Sequence, residues 1–191
     1  MGRTEAKTLE AKDTDAKDSD AKDSGFAALD SLLEGVLMDL GDLLSSEEVY
    51  PSLKAKSKKH VLQELARVAA EKTELDERDI FDVLLQRERL GSTGIGQGVA
   101  IPHGRLPSID RIICVFARLD EKGNFDSLDD EPVDLVFLLL APETAGADHL
   151  KALARISRLI RDPQILDKLR GSREQGALYS VLTEASASHA A

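Results

Sequence analysis

Gly91 to Arg105 reads GSTGIGQGVAIPHGR, a stretch whose residue types and spacing suit anion chemistry. Glycines stand at 91, 94, 96 and 98. Lacking a Cβ, they let the backbone turn through positive φ and bring successive N–H groups to one point, which makes an anion nest. Val99-Ala100-Ile101 follows as a brief strand, and Pro102 drives Ile101 into the extended region. His103 is therefore expected at a strand end, beside the nest. No Asp or Glu occurs from Arg89 to Ile109, while Arg87, Arg89, Arg105 and Arg111 lie in or beside the stretch. In a chain of net charge −10 this is an electropositive island. A neutral imidazole placed there is a nucleophile, and the surrounding N–H and guanidinium groups suit phosphoryl oxygens.

Read from the residues alone, two accounts stand. One is phosphohistidine chemistry at His103; the other is an ordinary glycine-rich loop with a satisfied histidine. Nucleotide binding fits less well: there is no G-x-x-x-x-G-K-[ST], and Gly94-Ile95-Gly96-Gln97-Gly98 lacks the third glycine spacing of a dinucleotide fingerprint. No Cys/His/Asp cluster has metal-ligand spacing, so neither a metal nor a cofactor is expected. The acidic balance argues against nucleic acid as the main partner. A single cysteine, Cys114, excludes an intrachain disulfide framework, fits a reducing cytoplasm, and lies in an apolar strand as a core filler.

The elements that must position these groups follow from periodicity. With 191 residues and 42% apolar content, one good core is the expectation. Residues 1 to 24 repeat the unit Ala-Lys-Asp-Ser/Thr-Asp and hold 5 Lys/Arg against 7 Asp/Glu, so −8 of the charge belongs to residues 25 to 191. Alanine is nearly the only apolar residue in this repeat, which predicts disorder. Phe26, Leu29, Leu32, Leu33, Val36 and Leu37 have helical spacing, so residues 1 to 37 read as an extension with a short helix at 26 to 37. Met38 is an alternative natural start. The N-terminus lacks a signal-peptide core, Ala6 disrupts a myristoylation pattern, and the apolar run Leu135 to Ala141 is far below the ~20 residues that cross a bilayer.

Leu40 to Val49 predicts a helical turn and Tyr50 to Lys56 an extended approach. Ser57 caps a helix to about Lys72 with Val61, Leu62, Leu65, Val68 and Ala69 on one face, and Asp76 caps another to about Arg89. The second helix delivers Arg87 to the mouth of the glycine stretch. Ile109 to Leu119 and Val133 to Leu140 are apolar on both alternations, so they are strands covered on both faces. Lys122-Gly123-Asn124 reads as a turn and Phe125 to Leu128 as a short edge strand. A helix from about Gly146 to Arg161 carries His149, Leu153, Ile156 and Ile160 on one stripe, pointing His149 inward. Asp162-Pro163 opens a short helix, Ser172 and Gln175 cap a last one through Leu182, and residues 186 to 191 should fray. The lysines at 54, 56, 58 and 59 read as solvated surface; His60 and His189 have no evident chemical neighbour. The order of elements gives an α/β fold: one three-layer domain with a central mixed sheet flanked by helices.

The run from Arg87 to Gly104, RERLGSTGIGQGVAIPHG, resembles the phosphorylation site of the fructose/mannitol-type enzyme IIA (EIIA) family of the bacterial phosphotransferase system. Within that family its wording is most similar to the nitrogen-regulatory branch, and weaker similarity extends from about Met38 to Ala185. The resemblance implies the same three-layer fold over residues 38 to 185. It implies a phosphotransferase component in which His103 accepts a phosphoryl group from an HPr-like phosphocarrier (NPr) charged by enzyme I from phosphoenolpyruvate. Asp148-His149-Leu150 resembles the position of the family's second active-site histidine. His149 and Arg87 would hold the phosphoryl oxygens, with Ser92, Thr93 and Gly94 completing the cradle. The implied outcome is cytoplasmic regulation of potassium-transport proteins or sensor kinases. A sugar-specific EIIA that passes the group to an EIIB, and an interaction module that is never phosphorylated, are the alternatives.

Overall fold

The computed structural model describes residues 40–127 and 129–188. The expected extension at 1 to 37 and His189 lie outside them.

The described residues open with a single turn, α1 (Leu40–Leu43), and a 3₁₀ turn at Ser46–Glu48 whose entry is fixed by the Ser45/Glu48 capping box. β1 (Val49–Leu53) follows. Ser57 then caps α2 (Lys58–Thr73) by accepting the His60 N–H at 3.2 Å. Asp76 does the same for α3 (Glu77–Arg89) through the Arg78 N–H at 2.7 Å. These caps satisfy N–H groups that the first helical turn leaves orphaned, which is why both starts were legible from sequence.

The sheet has six strands: β1, β2 (Gly94–Gly96), β3 (Val99–Ala100), β4 (His103–Leu106), β5 (Ile113–Gly123) and β6 (Val133–Pro142). Their order is β1-β5-β6-β3-β2, with β4 also on β6. β6 is parallel to β3 and β4 and antiparallel to β5. Every residue of β6 is buried. Leu135, Phe137 and Leu139 pack with Leu44, Ala152, Ile156 and Leu178, while Val136, Leu138 and Leu140 pack with Leu62, Leu65, Ile80 and Leu84. The period-2 alternation of a strand thus feeds two separate cores, one per face. Helices α2 and α3 cover one face; α4 (Ala147–Leu159), α5 (Pro163–Gly171) and α6 (Gln175–Ser188) supply the other with α1. This is the expected mixed sheet between helical layers.

Four local readings change. Gly94–Gly96 is a strand paired with Val99–Ala100, and the two residues between have φ of 54° at Gln97 and 72° at Gly98. Positive φ at both centres marks a tight hairpin turn whose twist matches its strands. Lys122 and Gly123 belong to β5, because Gly123 pairs with Val133 across the ladder, and the turn begins at Asn124, whose Oδ1 accepts the Asp126 N–H. Phe125 to Ser127 form no strand: the Phe125 ring is fully buried in the core under α2 and α3, and its carbonyl accepts from side chains. The last helix runs past Leu182 to Ser188.

Candidate functional site

β3 and β4 lie end to end along the same edge of β6, interrupted at Ile101-Pro102. Proline has no N–H for the ladder, yet its carbonyl still accepts the Leu139 N–H at 3.0 Å, so the chain stays in register and resumes as β4 at His103. His103 pairs with Leu139 and is half-buried. Gly104 beside it lets α3 approach: a Cβ there would stand 2.5 Å from Val83 Cγ1. That close approach carries Arg87 to the imidazole.

Both nitrogens of His103 are engaged. Nδ1 lies 2.8 Å from the Ile101 carbonyl, an acceptor only, so Nδ1 carries the proton. Nε2 then bears the lone pair, and Arg87 Nε donates to it at 3.0 Å. Arg87 Nη1 also donates to the Gly91 carbonyl at 2.9 Å, which braces the guanidinium against the glycine stretch.

His149, in the first turn of α4, is buried, and its ring centroid stands 5.7 Å from that of His103, edge to face. Its Nδ1 accepts from Arg105 Nε at 3.2 Å, so its proton sits on Nε2. That Nε2 is buried without a hydrogen-bond partner. A buried donor left unmade costs about 1–3 kcal/mol, so it marks a position where an acceptor belongs. Burial lowers the pKa of both imidazoles; Arg87 adds to the effect at His103, and His103 and Arg105 add to it at His149. Two neutral imidazoles and two guanidinium groups therefore meet at one half-buried point.

Of the residues expected at the site, His103, Arg87 and His149 come together, joined by Arg105. The hydroxyls of Ser92 and Thr93 and the N–H groups of Thr93 and Gly94 are committed to other partners. Ser92 Oγ donates to the Phe125 carbonyl and accepts the Gly94 N–H, and both the N–H and the hydroxyl of Thr93 go to Glu88. The Gln97 N–H goes to Asp129. The glycine run thus builds a hairpin and a braced turn in place of an open nest. His60 is tied to the Lys56 N–H and lies near Glu64, away from this chemistry.

Glu88 and Lys58 escaped the sequence reading. Lys58 belongs by sequence to a run of lysines that suits solvated surface, but its Nζ reaches Glu88, Asp126 and the Phe125 carbonyl. A signal existed for Glu88: Ile80, Leu84 and Glu88 recur every fourth residue, which puts the carboxylate on the buried stripe of α3.

Residues 42–185 match the family described as phosphoenolpyruvate-dependent sugar phosphotransferase system, EIIA 2. The chain belongs to this EIIA family. It is 61% identical over 145 residues to a nitrogen regulatory protein of Bradyrhizobium diazoefficiens, covering 76% of this chain and 95% of that one. Among solved structures, the EIIA fold here is similar to nitrogen regulatory protein IIA-Ntr from Neisseria meningitidis, at 34% identity and a TM-score of 0.72 over 75% of this chain and 99% of that one. It also shares its fold with IIA mannitol from Escherichia coli, at 20% identity and a TM-score of 0.62 over 73% and 98% of the two chains. No helix among the described residues of this EIIA chain is long and apolar enough to cross a membrane.

Proposed function

We propose that this EIIA chain is a phosphoryl carrier whose modified residue is His103 and whose output is regulatory protein binding. The observation that carries the reading is the pairing of an acceptor and a donor. His103 Nε2 holds a lone pair under Arg87, and 5.7 Å away, between ring centroids, stands a buried imidazole whose Nε2–H has no partner.

In the proposed step an HPr-like phosphocarrier (NPr), charged by enzyme I from phosphoenolpyruvate, presents its phosphohistidine. The P–N bond to the donor breaks with its electron pair returning to the donor imidazole, while the His103 Nε2 lone pair forms the new N–P bond. The proton on His103 Nδ1 stays against the Ile101 carbonyl and holds the ring in one tautomer. Arg87 releases Nε2 and turns its N–H groups to the phosphoryl oxygens, and His149 Nε2–H gains its missing acceptor. Such donors are worth most where charge builds up in a water-poor site. Leu90, one residue past α3, and Leu150, beside His149, are 86% and 64% exposed and give the donor apolar contact.

A nitrogen-linked regulatory role, exercised in the cytoplasm on targets such as potassium-transport proteins or sensor kinases, is favoured over sugar uptake by the resemblance of the 87–104 run and by the names of its relatives. Mixing the full chain with the charged donor should label the peptide containing Ile101-Pro102-His103, and His103→Ala should remain folded and unlabelled. Equal labelling of His103→Ala would overturn the assignment.

A further inference from the structure

Glu88 is a buried carboxylate, 8% exposed, in a site whose incoming group is an anion. Its own bonds explain its presence. Oε2 accepts from the Thr93 N–H at 3.0 Å and from the Thr93 hydroxyl at 2.6 Å. The Thr93 carbonyl accepts the Ile101 N–H at 2.9 Å, and the Ile101 carbonyl accepts His103 Nδ1–H at 2.8 Å. At the other side of the imidazole, Nε2 accepts from Arg87, the residue that precedes Glu88 on α3. The contacts close into a ring: Glu88, Thr93, Ile101, His103, Arg87 and back along the helix to Glu88. Both nitrogens of the imidazole are members of it.

Lys58 makes this arrangement tolerable beside a phosphoryl group. Its Nζ lies 3.0 Å from Glu88 Oε1 and 2.7 Å from Asp126 Oδ2, and it also donates to the Phe125 carbonyl. A buried carboxylate without such a partner would be desolvated and would repel the incoming anion. The same Phe125 carbonyl accepts from Ser92, so Lys58 and Ser92 fix the 125–126 segment against the turn.

We infer that Glu88, neutralised by Lys58, is a positioning residue for phosphoryl transfer: by holding Thr93 it fixes the tautomer and aim of His103 while it anchors the end of α3 that carries Arg87. This rests on His103 being the phosphoryl acceptor. The charged groups facing the His103 ring are Arg87, Glu88 and, through His149, Arg105. Of these Glu88 raises the imidazole pKa and Arg87 lowers it.

The test uses the full chain with the phosphoenolpyruvate-charged HPr-like donor, in single-turnover labelling across donor concentrations, alongside ¹⁵N NMR of the histidine rings. Glu88→Gln keeps an acceptor for Thr93 and loses the charge; Thr93→Val keeps the charge and loses one bond of the ring; Glu88→Ala loses both. Misplacing reacting groups by about 1 Å costs on the order of 100-fold. We therefore expect Glu88→Ala to transfer roughly 10- to 100-fold more slowly and Thr93→Val about 3- to 10-fold more slowly. The half-saturating donor concentration should stay within about 2-fold, since no docking contact is lost. Glu88→Ala and Glu88→Gln should also shift the His103 titration to lower pH, and Glu88→Ala should mix its tautomers. Wild-type rates in Thr93→Val and Glu88→Ala, or a loss lying wholly in donor affinity, would overturn the inference. If Glu88→Ala fails to fold, Glu88→Gln and Thr93→Val decide by the same readouts. A wild-type chain that takes up no label refutes the phosphohistidine reading itself, which is seen before any variant is compared.

Discussion

The two ends of the 91–105 stretch are built to opposite standards. At the hairpin end the backbone of the turn is tied down by side chains distant in sequence. The Gln97 N–H goes to Asp129, the Gln97 carbonyl accepts from Arg170, and Arg170 forks onto Asp134 at 3.0 Å. Asp134 in turn sends its N–H to the Gly98 carbonyl and lies 3.5 Å from Lys122. At the histidine end, one buried donor of His149 has nothing to bond and the lone pair of His103 is held by a single guanidinium contact. A turn held from both sides by charged side chains makes a rigid scaffold; an open buried donor beside an imidazole lone pair suits a place where an arriving group completes it. On the proposed reading the hairpin end is frame and the histidine end is site.

Breaking the histidine end should show in chemistry before stability. Arg87→Ala or His149→Ala removes a donor that the proposed step assigns to the phosphoryl oxygens, an expected loss of about 2–4 kcal/mol at the transition state, or roughly 30- to 1,000-fold in the transfer rate. Circular dichroism and the melting temperature should stay near wild type. Rates unchanged in both variants would return these residues to a packing role.

Breaking the hairpin end should do the reverse. Arg170→Ala leaves Asp134, 12% exposed at its side chain, with Lys122 alone, and leaves the Gln97 carbonyl without that donor. The expected cost is roughly 1–3 kcal/mol of stability, read as a lower urea midpoint, with transfer within about 2-fold of wild type. A loss of transfer as large as that of Arg87→Ala would erase the distinction between the two ends.

A pH series sharpens the comparison with a smaller effect. Burial holds both imidazoles below the ordinary value of 6.5, so His103 keeps its lone pair at pH values where a free histidine is half protonated. Transfer, measured with donor charging held constant, should fall to half its plateau only at a pH below 6.5. The unfolded chain binds more protons than the folded one in that lower range, so stability falls as pH drops through it. A rate that halves at pH 6.5 would mean that the site does not depress His103.

Much of this was written in the sequence in physical terms. Ser57 and Asp76 announced both helix starts because short oxygen-bearing side chains satisfy first-turn N–H groups. β5 and β6 announced their central place because strands covered on both faces lose polar alternation. His149 lay on an apolar stripe that only an inward-facing histidine would occupy. The glycine run is ambiguous in sequence, because four glycines permit a nest and a hairpin equally; the choice rests on Asp129, Asp134 and Arg170, which lie 32 to 73 positions beyond Gln97. The partners of Ser92, Thr93 and Glu88 were hidden for a related reason: which acceptor a hydroxyl chooses depends on the packing of α3 against the turn, and composition carries no record of it.

The central claim is that His103 Nε2 accepts the phosphoryl group. It is tested most directly by ³¹P and ¹⁵N NMR of the chain after charging, followed by acid and alkali treatment. The expected result is one phosphoryl on Nε2 of His103 with Nδ1 still protonated, lost in acid and kept in alkali. An acid-stable label, or a phosphoryl group found on another residue while His103 stays unmodified, would contradict it.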